Sequence, residues 1–469
     1  MRYRTRLGIF STIVLAAGCT VGPDYVKPEF GTDAEWLQAQ TETSEARAQW
    51  WAAYGDPKLE QLVALAVAGN RDLRQATARV VEARAGSAAA RGARLPALAT
   101  DVSYTFFEQS IESPQAASAL IDAGIVPRDG EFYNASLQAS WELDLFGGIR
   151  RSIEQADANA LAALAQRDAV ALQVIAETVN AYTDWQGFSQ RVLVAQRNID
   201  LQKETLGIIQ GKVRLGLTRR LDEVRAIATL SQLEAQVPTL VAARDGARER
   251  IAVLVGKQSS ALDLDVKGLS DDALQDIAVG TKADLLRRRP DVRIAERLLA
   301  AATADQGVAT AQFFPSLTLT GSGGFEAGDA SNLASGAART VGIVPFVRWP
   351  VFQGGRLRAA LAAADARQQQ ALAAYEQAVL QAFADSEAAI AAYRGARETL
   401  VSLRRAGDAA REAESLANRL YRQGLSDYLT LLDSQRQLAE IDDSLIVAEN
   451  QAMLAATRLY RSLGGGWPE

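Results

Sequence analysis

One motif of this chain reads Trp141-Glu142-Leu143-Asp144-Leu145-Phe146-Gly147-Gly148-Ile149-Arg150, and a second copy of it reads Trp349-Pro350-Val351-Phe352-Gln353-Gly354-Gly355-Arg356. Other residue pairs keep the same order and nearly the same spacing. Phe352 follows Phe146 by 206 positions, Gly424 follows Gly216 by 208, and Asp291 follows Asp72 by 219. Repetition at this spacing indicates one structural unit that is present twice. We therefore predict an internal duplication, with a first copy over residues 56–256 and a second over 284–463.

The composition argues against several classes of function. The 469 residues include no histidine, and Cys19 is the only cysteine. Histidine is the commonest general base and metal ligand, so we expect no catalytic site, no metal and no cofactor. A net charge of −6 without a strongly basic stretch gives no reason to expect nucleic acid as a partner. A periplasmic enzyme that uses Glu142 and Asp144 is the alternative, but these acids alternate with apolar residues along one strand.

The amino terminus reads as an export signal over residues 1–18. Arginines precede an apolar run that is too short to span a bilayer. Residues 15–19 resemble a bacterial lipoprotein box, which implies that Cys19 is acylated and that Thr20 directs sorting to the outer membrane. A covalent lipid is then the only non-protein group we expect; the alternative is that Cys19 is a buried thiol. Residues 19–55 are predicted to form an extended arm.

Long helices are predicted after each glycine motif. No proline occurs from 147 to 237 or from 351 to 467, and helices over 148–214 and 355–422 would each reach about 100 Å. Shorter helices are predicted over 56–93, with Asp56 as the N-cap, and over 219–255. The last helix carries a seven-residue apolar repeat in two adjacent rows, which predicts coiled-coil packing in a ring of helices, with a two-helix hairpin as the alternative. The rows are Leu425, Leu432, Ala439, Ile446, Met453 and Tyr460, and Leu431, Leu438, Leu445, Ala452 and Leu459.

Two β-hairpins, at about 99–146 and 314–352, are predicted from alternation of apolar and polar residues. One face suits lipid and the other suits water. The fourth strand is less regular, because Val344 and Phe346 fall on the face of Arg348. A soluble β-sandwich is the alternative.

Tryptophans end two equivalent strands of these hairpins. Membrane barrels carry an aromatic girdle at such a position, which we predict for Trp141 and Trp349. Glycines then mark the passage from strand to helix in both copies, as Gly147, Gly148, Gly354 and Gly355.

Four strands are too few to close a membrane barrel, and open strand edges are not tolerated in hydrocarbon. Several copies of the chain must therefore share one barrel. Two copies give eight strands, which fill with side chains, whereas three give twelve strands and leave a lumen.

The chain resembles the outer-membrane efflux proteins of the TolC superfamily, in the lipoprotein branch that serves RND-type pumps. The resemblance rests on the duplicated motifs together with Arg289-Pro290-Asp291, residues 421–429 and the ending Leu463-Gly464-Gly465-Gly466-Trp467. It implies a homotrimer with a twelve-stranded outer-membrane barrel and a periplasmic α-helical tunnel. Residues 257–283, together with the two termini, would form a belt around that tunnel; the carboxyl-terminal tail is 464–469.

The same resemblance implies a function. The trimer would be a passive exit duct for small molecules, fed by an inner-membrane RND transporter through a periplasmic adaptor. Type I protein secretion and a structural coiled-coil lipoprotein without a channel are the alternatives. The cargo and the partner pump cannot be read from the sequence.

The long helices are predicted to reverse at Gly216 and Gly424, which would be the periplasmic tips. Asp222, Tyr421 and Asp433 resemble the latch and acidic-ring positions of the family. We hypothesise that Tyr421 bonds to Asp222 to keep the entrance shut and that Asp433 contributes three symmetry-related carboxylates. Asp427 is a further candidate at this gate.

Overall fold

The structure is a computed structural model that describes residues 20–30, 36, 49–110, 120–121, 123–125, 127–267, 274 and 277–465. The predicted signal peptide and Cys19 lie outside the described residues. The chain divides into two compact units. The sheet unit comprises Met1–Lys27, Val81–Leu161 and Arg297–Ala373, and the helical unit comprises Pro28–Val80, Ala162–Glu296 and Ala374–Glu469.

Helices make up most of the described chain. The long helix predicted over 148–214 is confirmed at those residues. Its counterpart begins at Arg356, one residue later than predicted, and Gly355 before it has a φ of 88°. In chain order the helices are α1 (Pro57–Gly69), α2 (Arg71–Gly92), α3 (Gly148–Arg214), α4 (Arg220–Val255), α5 (Lys282–Arg288), α6 (Pro290–Ala311), α7 (Arg356–Arg422) and α8 (Tyr428–Ser462).

The single helix predicted over 56–93 is wrong, because the chain breaks it at Asn70. Asp56 caps α1 as expected and accepts a hydrogen bond from the Lys58 amide at 2.9 Å. Asn70 is extended, with ψ at 133°, and its side-chain oxygen accepts from the amides of Asp72 and Leu73. Asn70 therefore ends α1 and caps the start of α2.

Four antiparallel strands form one sheet in the order β1-β2-β3-β4. They are β1 (Ala97–Glu108), β2 (Asp129–Leu143), β3 (Ser316–Ala327) and β4 (Arg339–Arg348). Each strand pairs with the next one along the chain, and β1 and β4 lie at the two edges. The two predicted hairpins are therefore joined through β2 and β3.

The core of the helical unit lies along α8. Most of the predicted apolar repeat is buried there, including Leu432, Met453 and Leu459, whereas Leu425 precedes the helix and is 72% exposed. Trp50 is fully buried and stacks on Tyr460, with 5.1 Å between ring centroids. Because of this packing, the predicted extended arm ends in a short 3-10 helix, Trp50–Tyr54.

Among the residues that the structure describes, no helix combines the length and the apolar character that are needed to cross a membrane.

Candidate functional site

The sheet has one apolar face and one polar face. Directly opposed residues of antiparallel strands lie on the same face, so the register assigns every side chain. Val102 pairs with Ala135, Ala135 with Phe325, and Leu319 with Pro345, which defines the apolar face. Its side chains are largely uncovered: Val102 is 75% exposed and Ile343 is 72% exposed. An apolar area of this kind needs an apolar environment outside the chain.

The opposite face carries polar side chains on β1, β2 and β3. Asn134 lies opposite Ser103 and Glu326, and its amide donates a hydrogen bond to Asp101 at 2.8 Å. The register also confirms the irregularity that was predicted for β4. Val344 pairs with Thr320 and Phe346 with Thr318, so both apolar side chains lie on the polar face.

The two candidate girdle tryptophans have equivalent anchors. The indole N–H of Trp141 donates to the Arg94 carbonyl at 2.9 Å, and that of Trp349 donates to the Phe313 carbonyl at 3.1 Å. Phe313 follows Arg94 by 219 positions, the same offset that separates Asp72 from Asp291. Both indoles therefore have a satisfied donor and an exposed ring, which is the combination favoured where apolar and polar surroundings meet.

The passage from β2 into α3 is held by Asp144. Its carboxylate accepts hydrogen bonds from the amides of Ile149 and Arg150 at 3.0 and 2.9 Å, which satisfies donors at the start of the helix. Gly147 has a φ of 83°, whereas Gly148 is the first residue of α3. The four glycines predicted at these junctions therefore do not share one conformation.

In the second copy, the residues between Trp349 and Arg356 include no acid, so no carboxylate from this stretch binds the start of α7. There Gly354 and Gly355 both have positive φ, at 56° and 88°. Gln353 accepts from the Arg356 guanidinium at 2.5 Å instead. The two junctions therefore differ in chemistry as well as in backbone conformation.

The turns at Gly216 and Gly424 have the predicted left-handed conformation, with φ at 71° and 76°. At the first turn, the Gly216 amide donates to the Val213 carbonyl and the Leu217 amide donates to Lys212. The Gly424 and Leu425 amides repeat this pattern with Tyr421 and Leu420. Both turns are therefore Schellman motifs, which close a helix and reverse the chain.

A hydrophobic cluster, here called the tip cluster, lies behind these turns. Tyr421 belongs to it and is 5% exposed, with the ammonium of Lys212 3.9 Å from its ring centroid. The sequence did not single out Lys212, although it lies four residues before Gly216. The buried members of the tip cluster are Ile209, Ala226, Ala417, Tyr421, Tyr428, Leu431 and Leu432.

Tyr421 and Asp222 do not form the hypothesised hydrogen bond in this structure. The Asp222 carboxylate accepts from the Thr218 hydroxyl at 2.7 Å. The Tyr421 hydroxyl is buried and has no hydrogen-bond partner among the described residues. Burial raises the pKa of Tyr421, and the negative charge of Asp222 adds to this effect. The two side chains are therefore electrostatic neighbours without a direct bond.

The other two gate candidates have different surroundings. Asp427 is the N-cap of α8, and its carboxylate accepts from the Thr430 amide at 2.9 Å and from the Thr430 hydroxyl at 2.7 Å. These hydrogen bonds lower the pKa of Asp427. Asp433 is exposed on α8. Asp427 therefore stabilises the start of α8 in its own chain, whereas the Asp433 side chain is exposed to solvent.

Four leucines beside the turns form a second feature that the sequence did not single out. They are exposed, and they form two equivalent pairs at the 208-residue offset, a signal that could have identified them. We call them the tip leucines: Leu217 (71% exposed) with Leu425 (72%), and Leu221 (50%) with Leu429 (49%).

No group of three or more acids or cysteines in the described part of the chain is arranged to hold a metal ion. The arrangement described above instead combines a two-faced sheet, anchored tryptophans and reversed helix pairs. These features define a class of protein: a channel subunit that inserts a sheet into a membrane and carries a duplicated helical hairpin.

The chain belongs to the family described as outer membrane efflux protein, whose model matches residues 62–257 and 283–465. It is 31% identical to outer membrane protein OprJ of Pseudomonas aeruginosa over 463 residues, which cover 97% of this chain and 95% of that protein. It is 30% identical to a toluene efflux pump outer membrane protein, TtgF of Pseudomonas putida, over 97% of this chain and 95% of that one.

The fold agrees with that relationship. A solved structure of the outer-membrane channel OprN is similar, with a TM-score of 0.87 and 38% identity over 96% of this chain and 100% of that one. The predicted fold class is therefore confirmed: a mostly helical chain with four antiparallel strands, as in the outer-membrane efflux channels.

Proposed function

We propose that this chain is one subunit of a passive exit duct for small molecules in the outer membrane. The observation that carries the proposal is the four-stranded sheet, which has an exposed apolar face, a polar face and two open edges. Unpaired strand edges are costly in hydrocarbon, so β1 and β4 need partner strands from other copies. Three copies supply twelve strands, enough to surround a water-filled lumen lined by the polar faces.

The duct works with two partners. An inner-membrane RND transporter selects the cargo and supplies the energy, and a periplasmic adaptor connects it to the duct. The relatives described as efflux pump outer membrane proteins support this assignment. The tip leucines support it too, because paired exposed apolar side chains at the helix turns suit contact with another protein.

The helix tips form the gate of the duct. The buried Tyr421 hydroxyl has no hydrogen-bond partner within the described part of the chain, the charge of Asp222 acts on it, and an acceptor would offset the cost of its burial. We assign the latch to this pair: one state has the bond that Asp222 now makes with Thr218, and the shut state has the bond with Tyr421. Three exposed Asp433 carboxylates, one from each copy, give the entrance its negative charge.

A covalent lipid on Cys19 holds each subunit to the outer membrane. The lipoprotein-box resemblance of residues 15–19 supports this part of the proposal. The anchored tryptophans Trp141 and Trp349 belong to the same unit as Thr20, the residue after Cys19. The lipid and the girdle then meet the same membrane.

The deciding experiment is reconstitution of the purified protein in planar lipid bilayers, together with chemical crosslinking in detergent. We expect a trimer and discrete single-channel currents. A monomer that produces no currents would overturn the proposal.

Deletion of the gene, followed by measurement of drug sensitivity and of the secreted proteins, separates small-molecule efflux from type I secretion. Drug sensitivity with an unchanged set of secreted proteins is the expected result.

A further inference from the structure

The first described residues of the chain, Thr20–Asp24, lie against a surface of the sheet unit formed by Phe146, Gly147, Arg151 and Gly307, here called the groove. The Val21 amide donates to the carbonyl of Phe146 at 3.1 Å, where β2 gives way to α3. In return, the Arg151 guanidinium donates to the carbonyls of Val21 and Gly22, both at 3.2 Å. This short segment is therefore bound through its backbone from both sides.

Arg151 binds the segment through two of its three side-chain nitrogens, Nε and Nη2. Its Nη2 also donates to Asp24 at 2.7 Å, and its Nη1 donates to Glu154 at 2.7 Å. The Arg151 side chain is only 4% exposed. If the segment left, the guanidinium would keep Glu154 and lose its three acceptors on the segment, which are the Val21 and Gly22 carbonyls and Asp24. The groove is thus incomplete without its own N-terminal segment.

Glycines form the walls of the groove and permit the close approach. A Cβ atom on Gly147 would lie 2.6 Å from a side-chain carbon of Thr20, and one on Gly22 would lie 2.6 Å from the Gly307 backbone. A Cβ on Gly307 would lie 2.8 Å from the Arg151 side chain. Three different parts of the sequence therefore lack a side chain where the segment passes.

We propose that this groove is a docking site for the mature N-terminus and that Arg151 is its positioning residue. Docking holds the lipid attachment point beside the junction of sheet and helix, so that the position of the lipid relative to the sheet is fixed. This inference rests on the proposed lipidation of Cys19. Thr20, the residue that follows the proposed attachment point in the sequence, lies against Gly147.

Binding of the segment depends on the hydrogen bonds from Arg151 to the Val21 and Gly22 carbonyls more than on its ion pair with Asp24. Asp24 is 87% exposed, and exposed ion pairs contribute little. Arg151→Lys keeps the charge but loses the planar fork that reaches two carbonyls at once. We therefore expect Arg151→Lys to release the segment nearly as well as Arg151→Ala does, whereas Asp24→Asn keeps it docked.

Spin labelling of the full-length trimer in lipid tests the inference. Val26, two residues after the segment, is 80% exposed, so Val26→Cys provides a reporter next to the segment, and an acylated Cys19 leaves this as the only thiol to label. We expect an immobile label and a narrow distribution of distances between copies. Arg151→Ala should broaden that distribution and raise label mobility several-fold, while single-channel conductance stays unchanged.

Two further variants complete the test. Gly307→Ala favours helix α6 but displaces the Arg151 side chain, so it releases the segment by a second route if Arg151→Ala fails to assemble. Arg91→Ala is the matched control, because it removes an exposed ion pair with Asp157 from the same unit and should leave the label immobile. A label that is mobile in the parent, or equally immobile in the Arg151 and Gly307 variants, overturns the inference. Labelling of the protein without Val26→Cys would reveal a free Cys19, which contradicts the lipidation alone.

Discussion

Asn70 and Arg289 hold the same joint in the two copies of the duplicated unit. The Asn70 amide donates to the Leu254 carbonyl at 3.0 Å, and the Arg289 guanidinium donates to the Ser462 carbonyl at 3.2 Å. Arg289 follows Asn70 by 219 positions and Ser462 follows Leu254 by 208, the two offsets of the repeat. Each donor thus ties the start of one helix to the end of the last helix of its copy. The two joints therefore have equivalent hydrogen bonds, although an asparagine supplies the donor in one copy and an arginine in the other.

This difference predicts unequal costs of removing the two donors. Arg289 is buried and also pairs with Asp291 at 2.6 Å and with Asp385 at 3.2 Å. Arg289→Ala removes a buried donor from the Ser462 carbonyl and unpairs two carboxylates that are 47% and 40% exposed, so we expect a loss of about 1.5–3 kcal/mol in the free energy of unfolding. Asn70→Ala removes a helix cap and should cost about 1 kcal/mol. Thermal denaturation measures both.

The control for this comparison is Arg287→Ala. Arg287 is 72% exposed and pairs with Asp284 one helical turn away. Its removal should change stability by about 0–1 kcal/mol. Equal losses for Asn70→Ala and Arg289→Ala would contradict the idea that the second joint is the stronger one.

Glycine-to-alanine substitutions inside α3 and at the turn that follows it should change stability in opposite directions. Gly216→Ala places a side chain in the left-handed region and should cost about 1–2 kcal/mol. Gly211 lies in α3 without positive φ, and a Cβ there would meet no atom within 4 Å. Gly211→Ala should therefore stabilise the protein by about 0.5–1 kcal/mol. Opposite shifts in melting temperature are expected, and parallel shifts would refute this account of the turn.

The cap at Asp427 predicts a pH-dependent contribution to stability. Its pKa is lowered in the folded protein, so its stabilising effect is complete above the unfolded value of about 3.9 and is lost as the pH falls through the folded value. The melting temperature of Asp427→Ala should lie below that of the parent at pH 7, and the gap should narrow in strong acid. Asp427→Asn keeps a capping oxygen without the titration, so its gap should vary less. A gap for Asp427→Ala that widens in acid would contradict this assignment.

The proposed latch predicts a selective effect of one hydroxyl. Tyr421→Phe removes the group that would bond to Asp222 in the shut state, so channels of this variant should open more often in planar bilayers. The matched control is Tyr428→Phe, in the same tip cluster, whose hydroxyl accepts a long bond from Gln202 at 3.5 Å. Asp222→Ala should resemble Tyr421→Phe. Unchanged opening in both variants would reject the latch.

The exposed Asp433 predicts a contribution to ion selectivity. Asp433→Asn removes three negative charges from the entrance of a trimer and should shift the reversal potential in a salt gradient toward lower cation preference. The shift should shrink at high salt because exposed charges are screened. A reversal potential that does not change would mean that Asp433 lies away from the conduction path.

The candidate site was accessible to sequence reasoning where its residues act locally. Left-handed glycines at Gly216 and Gly424 follow from the end of a helical pattern, and the capping role of Asp56 follows from its place before Pro57. Partners far apart in the chain were not accessible. Nothing near Tyr421 in the sequence indicates that its hydroxyl would be buried without a partner, or that Lys212 would lie over its ring.

By itself, the sequence determined the duplication, the extent of the long helices and the two faces of the sheet, because repetition and periodicity are properties of neighbouring positions. Three other features required the folded chain: the pairing of β2 with β3, the interruption of a helix at Asn70, and the binding of the N-terminal segment by Arg151. These outcomes depend on hydrogen bonds and close contacts between residues that are far apart in the chain, such as Asn70 and Leu254, which are 184 positions apart. Local patterns record which side of an element is apolar, but the partner that a buried donor finds is known only when the chain has folded.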